Sequence, residues 1–224
     1  MAGILASVRL APESAEPIIG NWRCIELDVL VGQLPAVDAA RPRIILVDGR
    51  SAGGKTTFAA QLRTGISGAA VVHTDDVAWN YSMFDWADAL VDHIILPARD
   101  GEPIDYRPPG WAPNGRHGAI ELPAHLDTLI VEGVGAGRRQ IARLADVLIW
   151  IQSDFPMARE RGLVRDIAIG TNGSPDECRR FWDWWMAAEL PFLERETPWS
   201  RADLIVAGSA IAACSGQAQL AVYP

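Results

Sequence analysis

Gly49-Arg50-Ser51-Ala52-Gly53-Gly54-Lys55-Thr56 satisfies every fixed position of the pattern G-x-x-x-x-G-K-[ST]. Each fixed position has a physical job. Glycines let the backbone wrap until successive N–H groups point inward at phosphate oxygens. The lysine sets a point charge near the β- and γ-phosphates, and the threonine hydroxyl is a Mg²⁺ ligand. The flanks agree with this reading, since Arg43–Asp48 (RIILVD) reads as a buried strand and Thr57–Leu62 (TFAAQL) as the opening of a helix. A strand feeding a glycine loop and then a helix N-terminus aims the helix dipole at bound phosphates. A chance glycine-rich turn is the alternative, and this context disfavours it. The expectation is a nucleoside triphosphate cradle made of Gly49, Ser51, Ala52, Gly53, Gly54, Lys55, Thr56 and Thr57.

Further apolar runs set the architecture. Ala69–His73, Thr128–Val131, Val147–Ile151 and Leu204–Ala207 join Ile44–Val47 as five runs that are continuous rather than alternating. Strands buried on both faces of a parallel sheet require that composition. Helical patterns separate them, so the order is β-α-β repeated, and right-handed crossovers then cover both faces. A chain of 224 residues suits one such α/β domain. The expected fold is a three-layer α/β/α phosphate-loop NTPase with a five-stranded, mainly parallel sheet. Residues 1–20 read as a loosely attached N-terminal arm and 21–224 as the domain, and Cys24–Leu34 reads as a helix ending at Pro35.

Composition narrows the partners. The net charge of −8 argues against a broad nucleic-acid or anionic-membrane surface, and no apolar run is long enough to span a bilayer. Cys24, Cys178 and Cys214 are odd in number and lack C-x-x-C spacing. They read as reduced thiols of a cytoplasmic protein, not as a disulfide framework or a zinc site. Self-assembly into a homo-oligomer stays open.

Ligands of such sheets collect at the carboxyl ends of the strands. That rim gathers the glycine loop, Asp75 and Asp76 after the second run, and Glu132 after the third. Phosphoryl transfer to a hydroxyl needs Mg²⁺ and a base aimed at that hydroxyl. Asp75 is assigned as the base, with Asp76 its competitor. Thr56 and Glu132, with Asp75 nearby, are assigned to the metal, largely through water. The alternative for each acid is a helix cap or a solvated loop charge.

These residues, in this order, resemble the uridine kinase group of phosphate-loop kinases, which includes phosphoribulokinase and pantothenate kinase. Gly49-x-Ser51-Ala52-x-Gly54-Lys55-Thr56-Thr57 is similar to the group's loop, and His73-Thr74-Asp75-Asp76 to the strand end that carries its catalytic aspartate. Phe84-Asp85-Trp86 resembles a Phe-Asp whose aspartate holds ribose hydroxyls. Pro103–Tyr106 resembles a Pro-x-Tyr that closes over the acceptor, and Ile130–Gly133 the group's Val-Glu-Gly. Arg161 and Arg165-Asp166 resemble an arginine-rich lid, placed at about 157–180, with Gly162 standing where a second adjacent arginine is usual. The group's His-Ser-Arg after the tyrosine is replaced by Arg107–Trp111 and Arg116-His117-Gly118. The resemblance implies ATP and Mg²⁺, and a small-molecule acceptor, a nucleoside first.

The acceptor side is expected at about 77–125, where Asp76, Trp79, Phe84, Asp85, Tyr106, Trp111 and His117 lie, with Arg138 of the next loop either reaching in or capping a turn. Aromatic walls stack on a flat base or a sugar face, although any one of them also serves as packing. Phe181, Trp184, Trp185 and Ala188 follow i, i+3, i+4, i+7 spacing and read as a helix face against the core. Arg161 and Arg165 share a helix face suited to phosphate, and a solvated face is the alternative. The functional expectation is an ATP-dependent kinase with Lys55, Asp75, Arg161 and Arg165 as its catalytic groups. A kinase for a sugar, vitamin or antibiotic, or a regulatory nucleotide-binding protein without an acceptor, are the competing readings.

Overall fold

The computed structural model describes residues 5–6, 10–13, 15–37, 41–209, 214 and 219–223. Its strands are β1 (Leu5–Ala6), β2 (Trp22–Glu26), β3 (Arg43–Gly49), β4 (Ala69–His73), β5 (Ile104–Tyr106), β6 (Ile120–Leu122), β7 (Thr128–Glu132), β8 (Val147–Gln152), β9 (Leu204–Ala207) and β10 (Gln219–Tyr223). Eight of them form one sheet in the order β1-β2-β10-β9-β8-β3-β7-β4, while β5 and β6 pair separately. The five expected strands are its parallel part, β9-β8-β3-β7-β4. The sheet is wider than expected because β10, β2 and β1 extend it antiparallel beyond β9.

Alternate residues of each parallel strand serve opposite faces. Ile45, Val47, Ile130, Ile149 and Val206 pack beneath α1 (Leu27–Gln33) and α2 (Lys55–Gly65) through Leu30, Phe58, Ala59 and Leu62. Ile44, Leu46, Leu129, Val131 and Leu148 face α4 (Ala87–Leu90), α5 (Leu96–Arg99) and α6 (Arg139–Ala142). A π-helical turn, Val91–Ile95, joins α4 to α5. On that same face Trp150 and Ile205 meet Phe192 and Leu193 of α8 (Pro175–Glu196). The result is three layers. Ile44, Ile45, Leu46 and Val47 of β3 are all fully buried, and each such side chain contributes about 1.5–3 kcal/mol through burial. This strand is central because both its faces are covered.

Four expectations are corrected. Cys24–Glu26 belongs to β2 and the helix begins only at Leu27. The strand pairs Cys24 with Ala221 and Ile25 with Leu220, a partner from the far end of the chain that no local window displays. Cys24 and Cys214 are joined in a disulfide, with Cα atoms 5.4 Å apart, so only Cys178 is a free thiol. The described part of the arm is pinned, not loose. Leu10, Glu16 and Ile19 are buried, and the N–H of Phe155 donates to Ala11 O at 2.8 Å. The rest of that arm, at 1–4, 7–9 and 14, lies outside the described residues.

The fourth correction concerns α8. Phe181 and Trp184 are 38% and 55% exposed, and the buried stripe runs through Cys178, Trp182, Met186, Glu189, Phe192 and Leu193. Both stripes have helical spacing, and tryptophans on both sides of the helix hide which one turns inward. The helix starts at a capping box in which Ser174 and Glu177 satisfy each other's backbone N–H groups. It is preceded by α7 (Phe155–Ile169), and the two pack together as a hairpin. Among the described residues no helix is long and apolar enough to cross a membrane.

Candidate active site

The glycine loop runs from the end of β3 into α2, where the strand order turns. From β3 the chain goes out to β4, returns to β7 at its side, and then crosses to β8. Gly54 sits at the N-cap of α2 with φ 103°, and a Cβ there would stand 2.8 Å from Gly208 O. A glycine is needed on both counts. The first turn of α2 leaves its N–H groups without acceptors inside the helix, so the loop mouth is a ready anion site. Lys55, the only lysine in the chain, is buried and donates from Nζ to Arg50 O at 2.9 Å.

Across from the loop, His73 pairs in register with Glu132, which brings the ends of β4 and β7 level. Thr56 Oγ1 donates to Glu132 Oε1 at 3.1 Å, and His73 Nδ1 meets Glu132 Oε2 at 2.5 Å. Burial opposes ionisation of Glu132, yet the His73 hydrogen bond and the Lys55 charge hold its pKa below the ordinary value. The same hydrogen bond raises the pKa of His73. Gly133 follows with φ 147°, and any Cβ would overlap Thr74 Oγ1, so only glycine lets β7 pass so close to the next element.

Asp75 and Asp76 do not trail β4 as loop residues. They lie in α3 (Thr74–Ala78), directly after the strand. The pKa of Asp75 is raised, first by desolvation and then by the charges of Glu132 and Asp76, against the pull of Lys55. Its neighbour has a different fate. Asp76 accepts from Arg116 at 2.5 Å, Arg116 lies 3.6 Å over the ring of Trp111, and the Trp111 indole donates to Asp76 O at 2.8 Å.

The acceptor candidates divide. Trp79 is 36% exposed near Arg116, while Asp85 and His117 are exposed. Trp111 is buried as packing, and Tyr106 stacks on His93 at 4.3 Å. Phe84 stacks on Phe192 at 4.0 Å and joins the core under α8, so it is not a free aromatic wall. Arg138 is buried with its guanidinium 4.1 Å from the Trp86 ring and donates to the Phe84 carbonyl. Desolvation lowers its pKa, opposed by Asp48, Glu196 and Asp85.

The lid arginines separate as well. Arg161 donates to Ala52 O in the glycine loop, whereas Arg165 turns to Asp166 at 2.8 Å and Arg159 to Asp183 at 2.6 Å. A Cβ on Gly162 would overlap the Trp182 ring and come within 2.8 Å of the Ala52 Cβ. Contact between α7, α8 and the loop therefore leaves room only for glycine at position 162.

Three supporting groups escaped the sequence reading. Asp48 is fully buried and accepts the N–H groups of Gly49, Gly135 and Gly137 at 2.7, 2.9 and 2.8 Å. Desolvation pushes its pKa up to about 6, although those amides and Lys55 pull the other way. Glu189 is fully buried on α8 and takes the Ser51 N–H at 3.2 Å, the Ser51 hydroxyl at 2.5 Å and the Trp185 indole at 2.7 Å. Glu16 accepts from Arg50 and from the Trp150 indole, so the arm holds the loop from behind. An acid ending a run of buried strand residues is the signal that marks Asp48, whereas Glu189 and Glu16 carry none, because the sequence hides which stripe of α8 is buried and the arm shows no pattern.

No family model matches the sequence, and no curated protein matches it. Solved structures do. One is described as "a Possible Uridine Kinase from Bacillus stearothermophilus", at 21% identity over 80% of this chain and 95% of that one, with a TM-score of 0.49. Another is the "putative fructose transport system kinase from Silicibacter sp. TM1040", at 16% identity over 65% of this chain and 84% of that one, with a TM-score of 0.52. With the sheet order and the glycine loop, the second likeness decides the architecture. The chain has the fold of a phosphate-loop NTPase.

Among the described residues no group of three or more His, Cys, Asp or Glu side chains is arranged to hold a metal alone. Thr56 and Glu132 form a two-sided oxygen corner. That donor set fits Mg²⁺, which keeps waters and substrate phosphates in its shell.

Proposed function

We propose that this protein is an ATP-dependent kinase that transfers the γ-phosphoryl group to a hydroxyl of a small molecule, a nucleoside in the first place. The observation that carries the reading is that two carboxylates, Glu132 at the end of β7 and Asp75 just beyond the end of β4, stand at strand ends held level by the His73–Glu132 register, and the Lys55 charge acts on both. The loop amides and Lys55 hold the β- and γ-phosphates. Thr56 and Glu132 would hold Mg²⁺, which supplies charge neutralisation between those phosphates when bound. Asp75 takes the proton of the acceptor hydroxyl as its oxygen bonds to the γ-phosphorus, and the bond to the β,γ-bridging oxygen breaks to release ADP. A carboxylate whose pKa is raised by burial is the better base for that step. Asp76 is the wall beside it, bound to Arg116, and Arg161 closes the lid side at Ala52.

The reading treats 21–224 as one kinase domain, with the acceptor side at about 77–125 and the lid at about 157–180, and it puts the protein in the cytoplasm on the need for ATP alone, since the Cys24–Cys214 disulfide withdraws the support of reduced thiols. A sugar acceptor is the second reading. It is favoured because Arg116 is spent on Asp76 and Arg107 on the Gly118 carbonyl at 2.7 Å, which leaves few donors for a base edge.

The test exploits the single lysine. An amine-reactive acyl-phosphate analogue of ATP should label Lys55 and be displaced by ATP. ADP release should then depend on one member of a panel of nucleosides, sugars and vitamins, and vanish in Asp75→Asn while labelling persists. Labelling with no acceptor-dependent release across the panel would favour a regulatory nucleotide-binding protein.

A further inference from the structure

Beside the amino-terminal ends of β8 and β9, on the rim opposite the glycine loop, lies a cavity of about 420 Å³. Arg139, Arg143 and Arg201 line it, with Asp146 and Asp203. Both acids are already engaged. Asp146 accepts from both terminal nitrogens of Arg41 at 2.9 and 2.7 Å and from the Ile44 N–H at 2.8 Å, and Asp203 accepts the Leu148 N–H at 2.8 Å.

The arginines are only partly used. Arg139 donates one terminal nitrogen to Arg195 O at 2.6 Å, and Arg201 donates to Glu196 O at 2.7 Å and Gly137 O at 2.9 Å. Arg201 Nε is buried without a partner. Arg143 is exposed and makes no hydrogen bond or ion pair among the described residues. Burial, and then the like charge of Arg139, lower the pKa of Arg201, against the pull of Glu196 and Asp48. Planar guanidinium forks match oxyanions two bonds at a time, and the volume suits a small metabolite.

We propose that this cavity is a second ligand site, distinct from the kinase cleft, that takes a compact phosphate group, either free phosphate or a small phosphate monoester. Arg143 and the free edge of Arg139 bind the oxygens, and Arg201 supplies the floor. The site is wired to the glycine loop by short links. Arg201 holds Gly137 O, the Gly137 N–H holds Asp48, and Asp48 precedes Gly49. Arg139 and Arg201 also grip the carbonyl end of α8, the helix whose Glu189 holds Ser51. Occupancy therefore bears on both supports of the loop, which makes the ligand an effector rather than a substrate.

Phosphate also binds glycine loops, so the experiment blocks that site. Inorganic phosphate and glycerol 3-phosphate are titrated by calorimetry into wild type saturated with a non-hydrolysable ATP analogue, and into Lys55→Ala. Saturable binding should survive in both. Tighter binding of the ester would identify a monoester as the ligand, and equal or weaker binding the free ion. Arg143→Ala removes no bond that the fold uses, so it should keep its circular dichroism and Tm while weakening phosphate at least about tenfold. Hydrogen exchange should slow on binding at 137–146 and 195–203. Loss of all binding in Lys55→Ala and in the blocked wild type, or unchanged affinity in Arg143→Ala, would overturn the proposal. Neither readout requires the protein to be a kinase.

Discussion

The two sides of the cleft treat their charges in opposite ways. On the glycine-loop side, Lys55, Glu132 and Asp75 act on one another across a shared space, and the first amides of α2 face the same way. On the insert side the polar groups are consumed locally, with Asp76 on Arg116, Arg116 on Trp111 and Trp111 back on the Asp76 carbonyl. Adjacent acids in one short helix thus have different surroundings. Polar groups that satisfy one another build a wall, whereas groups aimed at a common space are available to a ligand.

The largest expected effect breaks the first side. Lys55→Ala should lower acceptor-dependent ADP release by roughly 10³-fold, as loss of a charge aimed at the transferring phosphoryl group does. Asp75→Asn should follow, with a fall of about 10²-fold in turnover and nearly unchanged binding of an ATP analogue by calorimetry. Near-normal turnover in that variant would remove Asp75 from the chemistry.

Asp48→Ala tests the support beneath both sides. Three buried amides lose their acceptor, at a cost of about 3 kcal/mol or more, which is a fall in Tm of roughly 6–12 °C. The pH dependence has a definite sign. Because the folded pKa of Asp48 is raised to about 6, its protonation favours the folded state. That contribution is fully present below about pH 4 and is lost as pH rises through about 6. The Tm gap between wild type and Asp48→Ala should therefore be widest near pH 4 and narrow towards pH 7. A gap that widens with pH would contradict the assignment.

Smaller effects sharpen the contrast. Gly162→Arg drives a side chain into the Trp182 ring. Thermal melts should show a loss of about 1–3 kcal/mol. Asp76→Asn should cost the least, about 0.2–1 kcal/mol for a partly exposed ion pair, with turnover reduced far less than in Asp75→Asn. Equal losses in the two variants would erase the distinction between wall and base.

Much of this was legible in the residues. Arg43–Gly49, Ala69–His73 and Thr128–Glu132 are strands within a residue or two of their apolar runs, because a buried parallel strand needs an uninterrupted apolar stretch. The antiparallel edge was hidden, since β2 finds β10 only through the whole length of chain between them. Phe84 read as an acceptor wall because aromatic residues serve packing and stacking equally well, and its contact with Phe192 depends on where α8 lies.

The sequence by itself determined the glycine loop, the five parallel strands and the rim on which Asp75 and Glu132 would meet it. Those are local matters of backbone freedom and of apolar runs that end in polar residues. Only the tertiary structure decided which acid is free and which is spent. It also decided that Cys24 meets Cys214, that Glu189 and Asp48 hold the loop, and that three arginines surround a cavity on the far rim. Such outcomes depend on which distant groups arrive within hydrogen-bonding distance, and no pattern of neighbours along the chain encodes that distance.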